Sequence, residues 1–327
     1  MTVRRRFLQS TAALSAAAIA GGAFSQGAWP TKPVRVINPF PAGGGTDTFL
    51  RPVAARLSQI LGQQFTVENL GGAGGTVGAT AASKAPPDGY TLFCGAVHHT
   101  IAESLYTKLP YSLEKDFIPI TVIAYIPNVV VVHPKYTNIN TFADFLAYAK
   151  KNPGKLNFGS AGNGTSHHLT VELFKQMTGT FMTHIPYRGA GPMMQDLLAG
   201  SVDFAFDGMG TSAAQIKGGK LKALAVTSAK RVPAFPNIPT MEEVGLKGYL
   251  ATTWYGLWAP KGTPMEVVNR TQQEVAKILQ EPRIKETWFS QGADPGGQTP
   301  AEFTKYISAE IEKWSKVVKA SGAKIDL

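Results

Sequence analysis

The chain has one cysteine, Cys94, among 327 residues. That excludes a disulfide framework and any zinc or iron–sulfur centre built from several thiolates. Charged residues make up only 17% against 44% hydrophobic, a balance unlike that of a disordered, highly solvated chain. Beyond the N-terminus no apolar run approaches the ~20 residues needed to span a bilayer, so the mature protein is expected to be soluble. No dense basic run follows residue 6, which argues against nucleic acid as a partner despite a formal charge of +10. The sequence contains no G-x-x-x-x-G-K-S/T, no G-x-G-x-x-G after a strand, no H-E-x-x-H and no G-x-S-x-G. No cofactor is expected. No metal is expected either: His98-His99 and His167-His168 are adjacent pairs, and neighbouring side chains diverge on a strand or a helix, so each pair supplies at most one ligand. Tandem repeats and low-complexity linkers are also lacking.

What is present begins with an address. Arg4-Arg5-Arg6-Phe7-Leu8-Gln9 is a charged leader, residues 11–24 are small and apolar, and Ala23-Phe24-Ser25 offers a small-x-small cleavage pattern. Residues 1–25 therefore read as a signal peptide, and the mature protein is expected in the periplasm. Arg-Arg-x-Phe-Leu is similar to a twin-arginine signal, with Val3 where Ser or Thr is usual, and the general secretory route stays open. The segment holds three arginines and no acid, so the remainder carries +7 of the +10. At ~150 residues per domain the length suits two domains.

Along the mature chain, short β-branched runs alternate with helical spacing. Val34–Asn38, Phe65–Glu68 and Thr91–Cys94 read as strands around a helix at 49–61 and a small-residue helix ending at Ala85. A second series opens at Val129–Val132, with helices at 142–151 and 169–177 and strands at 156–159, 181–185, 202–206 and 221–227, and with Met193–Leu198 continuing the alternation between 181–185 and 202–206. Two amphipathic helices close the chain, at 264–279 and 300–318. This alternation predicts an α/β fold with parallel, doubly wound sheets.

One pattern recurs. A strand runs into a glycine-rich turn carrying Thr or Ser, and the turn opens a helix, first at 34–49 and again at 156–169. Glycines let successive N–H groups point inward, and the helix start adds unpaired N–H donors and a partial positive charge. Two readings stay open: two anion cradles gripping one small anion between them, or two ordinary helix caps by Thr46 or Asp47 and by Thr165 or Ser166. Pro52, about one turn into the first helix, removes a hydrogen-bond donor there. His168, near a helix start, is a candidate donor to a bound anion. Asp203 and Asp207 share a face but lack a partner base or nucleophile. Trp254 and Trp258 flank Tyr255 in an apolar stretch and suit core or hinge packing. Cys94 ends a buried strand and is expected to be inert.

Several segments, in order, carry a resemblance. They are Trp29-Pro30-Thr31-Lys32-Pro33-Val34-Arg35, Pro39-Phe40-Pro41-Ala42-Gly43-Gly44-Gly45-Thr46-Asp47, Asn69 with Gly71-Gly72-Ala73-Gly74-Gly75, and Pro87-Asp88-Gly89-Tyr90-Thr91-Leu92. Then come Leu109-Pro110-Tyr111, Lys115-Asp116-Phe117-Ile118-Pro119, Gly159-Ser160-Ala161-Gly162-Asn163-Gly164-Thr165, Ile185-Pro186-Tyr187-Arg188-Gly189, Gly200-Ser201-Val202-Asp203 and Trp258-Ala259-Pro260-Lys261-Gly262-Thr263-Pro264. Over residues 29–327 the chain resembles the periplasmic solute-binding proteins of the tripartite tricarboxylate transporter family, the Bug receptors.

The resemblance implies a type II periplasmic-binding-protein clamshell: two doubly wound α/β domains, 26–124 plus 229–327 and 125–228, joined by a hinge of two crossing segments. It implies a small carboxylate ligand held through backbone N–H groups, hydroxyls and ordered water. Carried over residue by residue, Phe40, Ala42, Gly43, Gly44, Thr46 and Asp47 form one wall, and Ser160, Asn163, Gly164 and Thr165 the other. Tyr187 and Gly189 lie in an aromatic-x-Gly turn, and Asp207 stands where the family often has a ligand-facing acid. His168 is a departure that would tune the ligand. The implied function is a non-enzymatic carboxylate receptor, a monomer whose partners are integral membrane transporter subunits. A sensory input with the same fold and an enzyme on the same scaffold are the alternatives.

Overall fold

Val34–Asn38 alternates β-branched residues that bury on both sides, and it forms β1 at the centre of a parallel trio. The computed structural model describes residues 29–321 and 324–325; the expected signal peptide over 1–25 lies outside the described residues. Contacts divide the chain into Met1–Thr31 and Lys32–Leu327, and all elements below belong to the second unit. After β1 come α1 (Gly45–Leu61), β2 (Phe65–Asn69), a 3-10 turn (Ala73–Gly75), α2 (Thr76–Ser83), β3 (Thr91–Ala96) and α3 (Val97–Leu105). α1 buries Phe49, Leu50, Val53 and Leu57 along one side and continues through Pro52. Gly62, left-handed, ends it by donating to Ser58 O at 3.1 Å.

Next is β4 (Phe117–Val132), a single 16-residue strand. The sequence pattern marks only its last four residues, because Pro119 and Pro127 interrupt the earlier part. The structure absorbs both prolines. The register with the neighbouring strand shifts just after Pro119, and the pairing partner changes just after Pro127, so the missing N–H groups fall where the ladder is already irregular. The chain continues through α4 (Phe142–Lys151), β5 (Asn157–Ser160), α5 (Ser166–Thr178), β6 (Thr183–Pro186), α6 (Ala190–Ala199), β7 (Phe204–Gly208), α7 (Met209–Lys217) and β8 (Lys222–Val226). It closes with β9 (Thr252–Pro260), α8 (Met265–Ile278), α9 (Pro282–Ser290), β10 (Asp294–Pro295) and α10 (Pro300–Ser321).

The strands form one mixed sheet in the order β2-β1-β3-β9-β4-β7-β5-β6, with β8 and β10 also on β4. The parallel strands expected from the alternation are present in each half, β1 with β2 and β3, and β5 with β6 and β7; the antiparallel strands are added to them. β9 runs antiparallel to both β3 and β4, and β4 runs antiparallel to β7 and β8. The two halves repeat one plan. In β2-β1-β3-β9 and in β6-β5-β7-β4, three parallel strands are followed by an antiparallel one. β9 and α9 are additions to the sequence reading. β9 was legible only as an apolar stretch; Trp254 and Trp258 on it are fully buried, as expected of core residues, and the Trp254 indole donates to Glu310 Oε2 at 3.0 Å. Cys94 is also fully buried, and burial pushes its thiol above the ordinary range, in keeping with an inert role.

Two apolar cores result. One joins Ile37, Phe93, Val122, Trp254, Trp258, Phe303 and Trp314. The other joins Val130, Phe145, Phe158, Phe174, Phe204 and Phe206, and takes in Met241, Tyr249 and Ala251 from beyond residue 228. The chain passes from the first core to the second between Val122 and Val130 and returns between Ala251 and Trp254, and Asn128, Thr227 and Thr253 are joined at this boundary. Asn128 N donates to Thr227 Oγ1 at 3.0 Å, Thr227 N donates to Asn128 O at 2.9 Å, and Thr227 Oγ1 donates to Ala251 O. Thr253 Oγ1 donates to Asn128 Oδ1 at 2.9 Å, and Thr253 in turn shares a hydrogen bond with Ser166 Oγ at 3.1 Å. All of these residues are buried. Replacing Thr227 with the isosteric Val strips partners from a buried N–H and a buried carbonyl. Thr227→Val is therefore expected to lower unfolding free energy by about 1–3 kcal/mol. Urea titration followed by circular dichroism checks this; a loss below about 0.5 kcal/mol would show that the crossing tolerates unpaired groups.

Candidate functional site

Within each half of the sheet the carboxyl ends of the three parallel strands meet the starts of helices. The turn from β1 to α1, residues 39–44, is organised by a carboxylate. Asp47 lies in the first turn of α1 and is buried. Its Oδ2 accepts from Gly43 N at 3.1 Å and from Arg51 Nε at 2.8 Å, and its Oδ1 accepts from Asn38 Nδ2 and Asn69 Nδ2, both at 3.3 Å. Burial works against this charge, but the hydrogen bonds from Arg51, Gly43 and Asn69 outweigh it and hold the carboxyl below its usual range. Asn69 also ties down Phe40 O at 2.7 Å. Neither Thr46 nor Asp47 is the helix cap. The cap position is Gly44, with no side-chain cap bond. Gly43 sits at φ +81°, where a side chain would be strained. Thr46 is buried, and its hydroxyl has no hydrogen-bond partner among the described residues.

The second glycine turn, between β5 and α5, is likewise held from within. Ser160 Oγ accepts from Gly162 N at 3.1 Å and contacts His184 Nε2 at 2.6 Å, while Thr165 Oγ1 donates to Gly162 O at 2.8 Å. His168 belongs to the same brace. Its Nδ1 accepts from Gly164 N at 3.1 Å, its ring stacks on His184 with centroids 3.9 Å apart, and Nε2 lies 3.6 Å from Glu172. Burial opposes the charge on Glu172, but the hydrogen bonds from His168 and Lys175 outweigh it and bring its carboxyl down to about 2. The hydroxyls of Ser160 and Thr165 and the His168 ring thus shape the turn. Asn163 is exposed at its tip.

Turns from the two halves of the sheet meet. A Cβ on Gly189 would lie 2.9 Å from Pro41 Cδ, and one on Gly191 would lie 3.2 Å from Ala42 O. Absence of side chains here is what allows the backbones to approach. Tyr187 hangs beside this seam, with N bonded to Ser160 O at 3.1 Å and its hydroxyl donating to Asp196 Oδ2 at 2.6 Å. On one side of the seam a cavity of about 420 Å³ is lined by Phe40, Gly72, Gly74, Asn163, Tyr187 and Arg188, among others. On the other a cavity of about 320 Å³ is lined by Ala42, Gly43, Gly191, Gly210 and Thr211. Phe40, Ala42, Gly43, Asn163 and Tyr187 of the expected set therefore line these cavities, while Gly44 and Gly189 form the seam itself.

Behind the seam is a buried polar floor that the sequence reading mostly overlooked. Asp207, next to last in β7, has no exposure at all. Its Oδ2 accepts from Ser212 Oγ at 2.6 Å and from Thr211, whereas Oδ1 has no hydrogen-bond partner and lies 3.6 Å from His167 Nδ1. His167 is 3% exposed and neither ring nitrogen is hydrogen-bonded. His98, in the first turn of α3, packs edge-on to His167 with ring centroids 6.0 Å apart and edge-on to Phe40 at 5.2 Å. Its Nδ1 accepts from Ser166 N at 3.1 Å. Burial pushes His98 well below the ordinary imidazole range, with His167 and His99 adding to the shift, and burial lowers His167 against the opposing pull of Asp207. Both rings are neutral near pH 7. Tyr255, from β9, places its hydroxyl against the backbone of Gly45 at the start of α1. Each histidine pair thus contributes one ring, as divergence on a helix demands. The signal that would have found His98, His167 and Tyr255 is topological: these residues matter because strand ends converge, which no local motif records.

Comparison with known proteins agrees with this geometry. The profile of the tripartite tricarboxylate transporter family receptor matches residues 49–323. Protein BugT of Bordetella pertussis is 36% identical over 299 residues, covering 91% of each chain. Among solved structures, R. palustris Rpa4515 with adipate superposes with a TM-score of 0.88 at 38% identity, covering 91% of this chain and all of that one. The periplasmic binding protein BugD gives 0.87 at 35% with the same coverage. MatC from Rhodopseudomonas palustris with bound malate gives 0.84 at 32%, covering 89% and 100%. The fold is that of the periplasmic binding proteins, and the chain belongs to the tripartite tricarboxylate transporter receptor family.

Proposed function

We propose that this chain is a periplasmic solute receptor. It holds a small carboxylate between two lobes, does not transform it, and presents it to the integral membrane subunits of a tripartite transporter. The observation that carries this reading is the meeting of glycine turns from both halves of the sheet at the starts of their helices. Unpaired backbone N–H groups and partial positive charge gather there from α1, α5, α6 and α7. Asp47, Ser160 and His168 accept from the turn N–H groups of Gly43, Gly162 and Gly164, so the donors offered to an anion are those of the first turns of the helices. Adipate and malate accompany two related structures, and BugD is described as periplasmic. The lobes proposed are 26–124 with 229–327, and 125–228. Residues 241–251 side with the second through their share in its core.

Three outcomes are expected. Titration calorimetry of the mature protein should detect heat with adipate, succinate or malate and none with glucose or putrescine, and the ligand should be recovered unchanged. Binding restricted to neutral sugars or cations would overturn the reading. Small-angle scattering at saturating ligand should give a smaller radius of gyration than without it; an unchanged radius with proven binding would mean that the boundary at Asn128, Thr227 and Thr253 does not act as a hinge. Gly43→Val should weaken carboxylate binding more than Thr46→Ala. A hydroxyl bonded to a charged ligand contributes about 1.5–3 kcal/mol, or about ten- to a hundredfold in affinity. A branched side chain at φ +81° distorts the turn itself. The reverse order would assign the anchoring to the hydroxyl instead of the backbone.

A further inference from the structure

Asp47 sets a problem that the carboxylate cradle does not by itself solve. Its carboxyl is ionised, buried and in the first turn of α1, the same turn whose N–H groups are offered to an anion. A negative charge left unanswered there repels the ligand and cancels the partial positive end of the helix. One turn further along, Arg51 reaches back over it. Arg51 Nε donates to Asp47 Oδ2 at 2.8 Å and Nη2 donates to Asn69 Oδ1 at 3.0 Å. Asn69 Nδ2 in turn donates to Asp47 Oδ1 at 3.3 Å. Arg51 thus holds one carboxylate oxygen directly and the other through Asn69, while Gly43 N adds a donor at 3.1 Å.

The pair is lopsided in exposure: the Asp47 side chain is 8% exposed and that of Arg51 is 50%. The anion stands inside. The cation stands on the outer side of α1, where it lines two cavities that share no residue with the two at the seam. The other groups around Asp47 are neutral. Asn38 of β1 and Asn69 of β2 donate to it. Burial, with the charge of Asp47 adding to it, keeps the proton on the Cys94 thiol of β3, and burial keeps that of Tyr255 of β9, which stands against Gly45. Among the described residues Arg51 is the charged group that acts on Asp47. We propose that Arg51 is what makes this cradle fit for an anion: from outside the site it neutralises Asp47, so that Asp47 shapes the turn without opposing the carboxylate bound beside it. Arg51 acts through Asp47 and is a positioning residue. This inference rests on the carboxylate-receptor reading above.

Without the cation, burial raises the Asp47 carboxyl from its low range, and an anion bound nearby raises it further. Binding to such a variant takes up protons, and its deficit in affinity shrinks as pH falls and Asp47 is neutralised by a proton instead. The test is titration calorimetry with succinate, malate and adipate from about pH 8 to about pH 6, in buffers of different ionisation enthalpy so that proton uptake is measured. Arg51→Met should weaken the acid that wild-type protein binds best by about tenfold or more at the upper pH. The gap should narrow at the lower pH, and the variant should take up more protons per ligand than wild type. Arg51→Lys, which keeps the charge at i+4, should bind within about threefold of wild type. Adding Asp47→Asn to Arg51→Met should restore affinity above that of Arg51→Met alone, because the charge that needed an answer is gone. Circular dichroism reports that each variant is folded. If Arg51→Met binds within about threefold of wild type, or takes up no more protons, Arg51 belongs to an ordinary surface ion pair; the inference is then overturned and the receptor reading stands. If the double variant binds no more tightly than Arg51→Met, or Arg51→Lys binds as weakly, Arg51 shapes the turn without cancelling charge, which overturns it too. If wild-type protein binds no carboxylate, the receptor reading falls and this inference falls with it.

Discussion

Everything in this fold depends on one strand changing partners. Along Phe117–Pro127, β4 pairs with β9; from Asn128 onward it pairs with β7 and β8. Neither half of the sheet is complete without its stretch of the same 16 residues. The junction cannot be bridged by a regular ladder, so side chains stand in. Thr227 and Thr253 satisfy the groups of Asn128, and Ser166 and His98 continue the chain of hydrogen bonds to the start of α5 and α3. In a dry interior such a network holds one arrangement because leaving any member unpaired is costly. It also links the junction to the site directly: the residue bonded to Thr253 is the one that fixes the His98 ring.

How far this was legible in the sequence depends on the range of the interaction. β1, β3, α1 and α4 follow from local periodicity, and the two glycine turns follow from composition at a strand-to-helix boundary. The ordered motifs carried the family. The long strand was not legible because Pro119 and Pro127 break its pattern, and its irregularities suit those prolines only once β9 is alongside. β9 itself, Thr-Thr-Trp-Tyr-Gly-Leu-Trp-Ala-Pro, is buried nearly throughout and so shows no alternation. At the site, the positions of Gly43 and Gly189 could be read locally. The functions of Ser160, Thr165 and His168 could not, since their bonds return to the turn they belong to. His98 and His167 stand 69 positions apart in the chain and meet only through the order of strands.

The site therefore separates into two layers. The outer one is backbone, shaped by Asp47, Asn69, Ser160 and Thr165 into turns that come together across Pro41, Gly189 and Gly191. The inner one is side chain, a small group of buried polar residues on the first turns of α3 and α5 and at the end of β7. The first layer is generic in chemistry, because under the proposed function any carboxylate would meet the same N–H groups. The second is particular, because it is set by the identity of single residues.

This arrangement has a consequence for how such a protein changes over generations. The main-chain N–H groups at the turns survive every point substitution except to proline, but the conformation that aims them does not: Gly43 lies at φ +81°, and a Cβ on Gly189 would stand 2.9 Å from Pro41 Cδ. The positions with no side chain are therefore the ones least free to vary, while the polar residues around them have more room to drift.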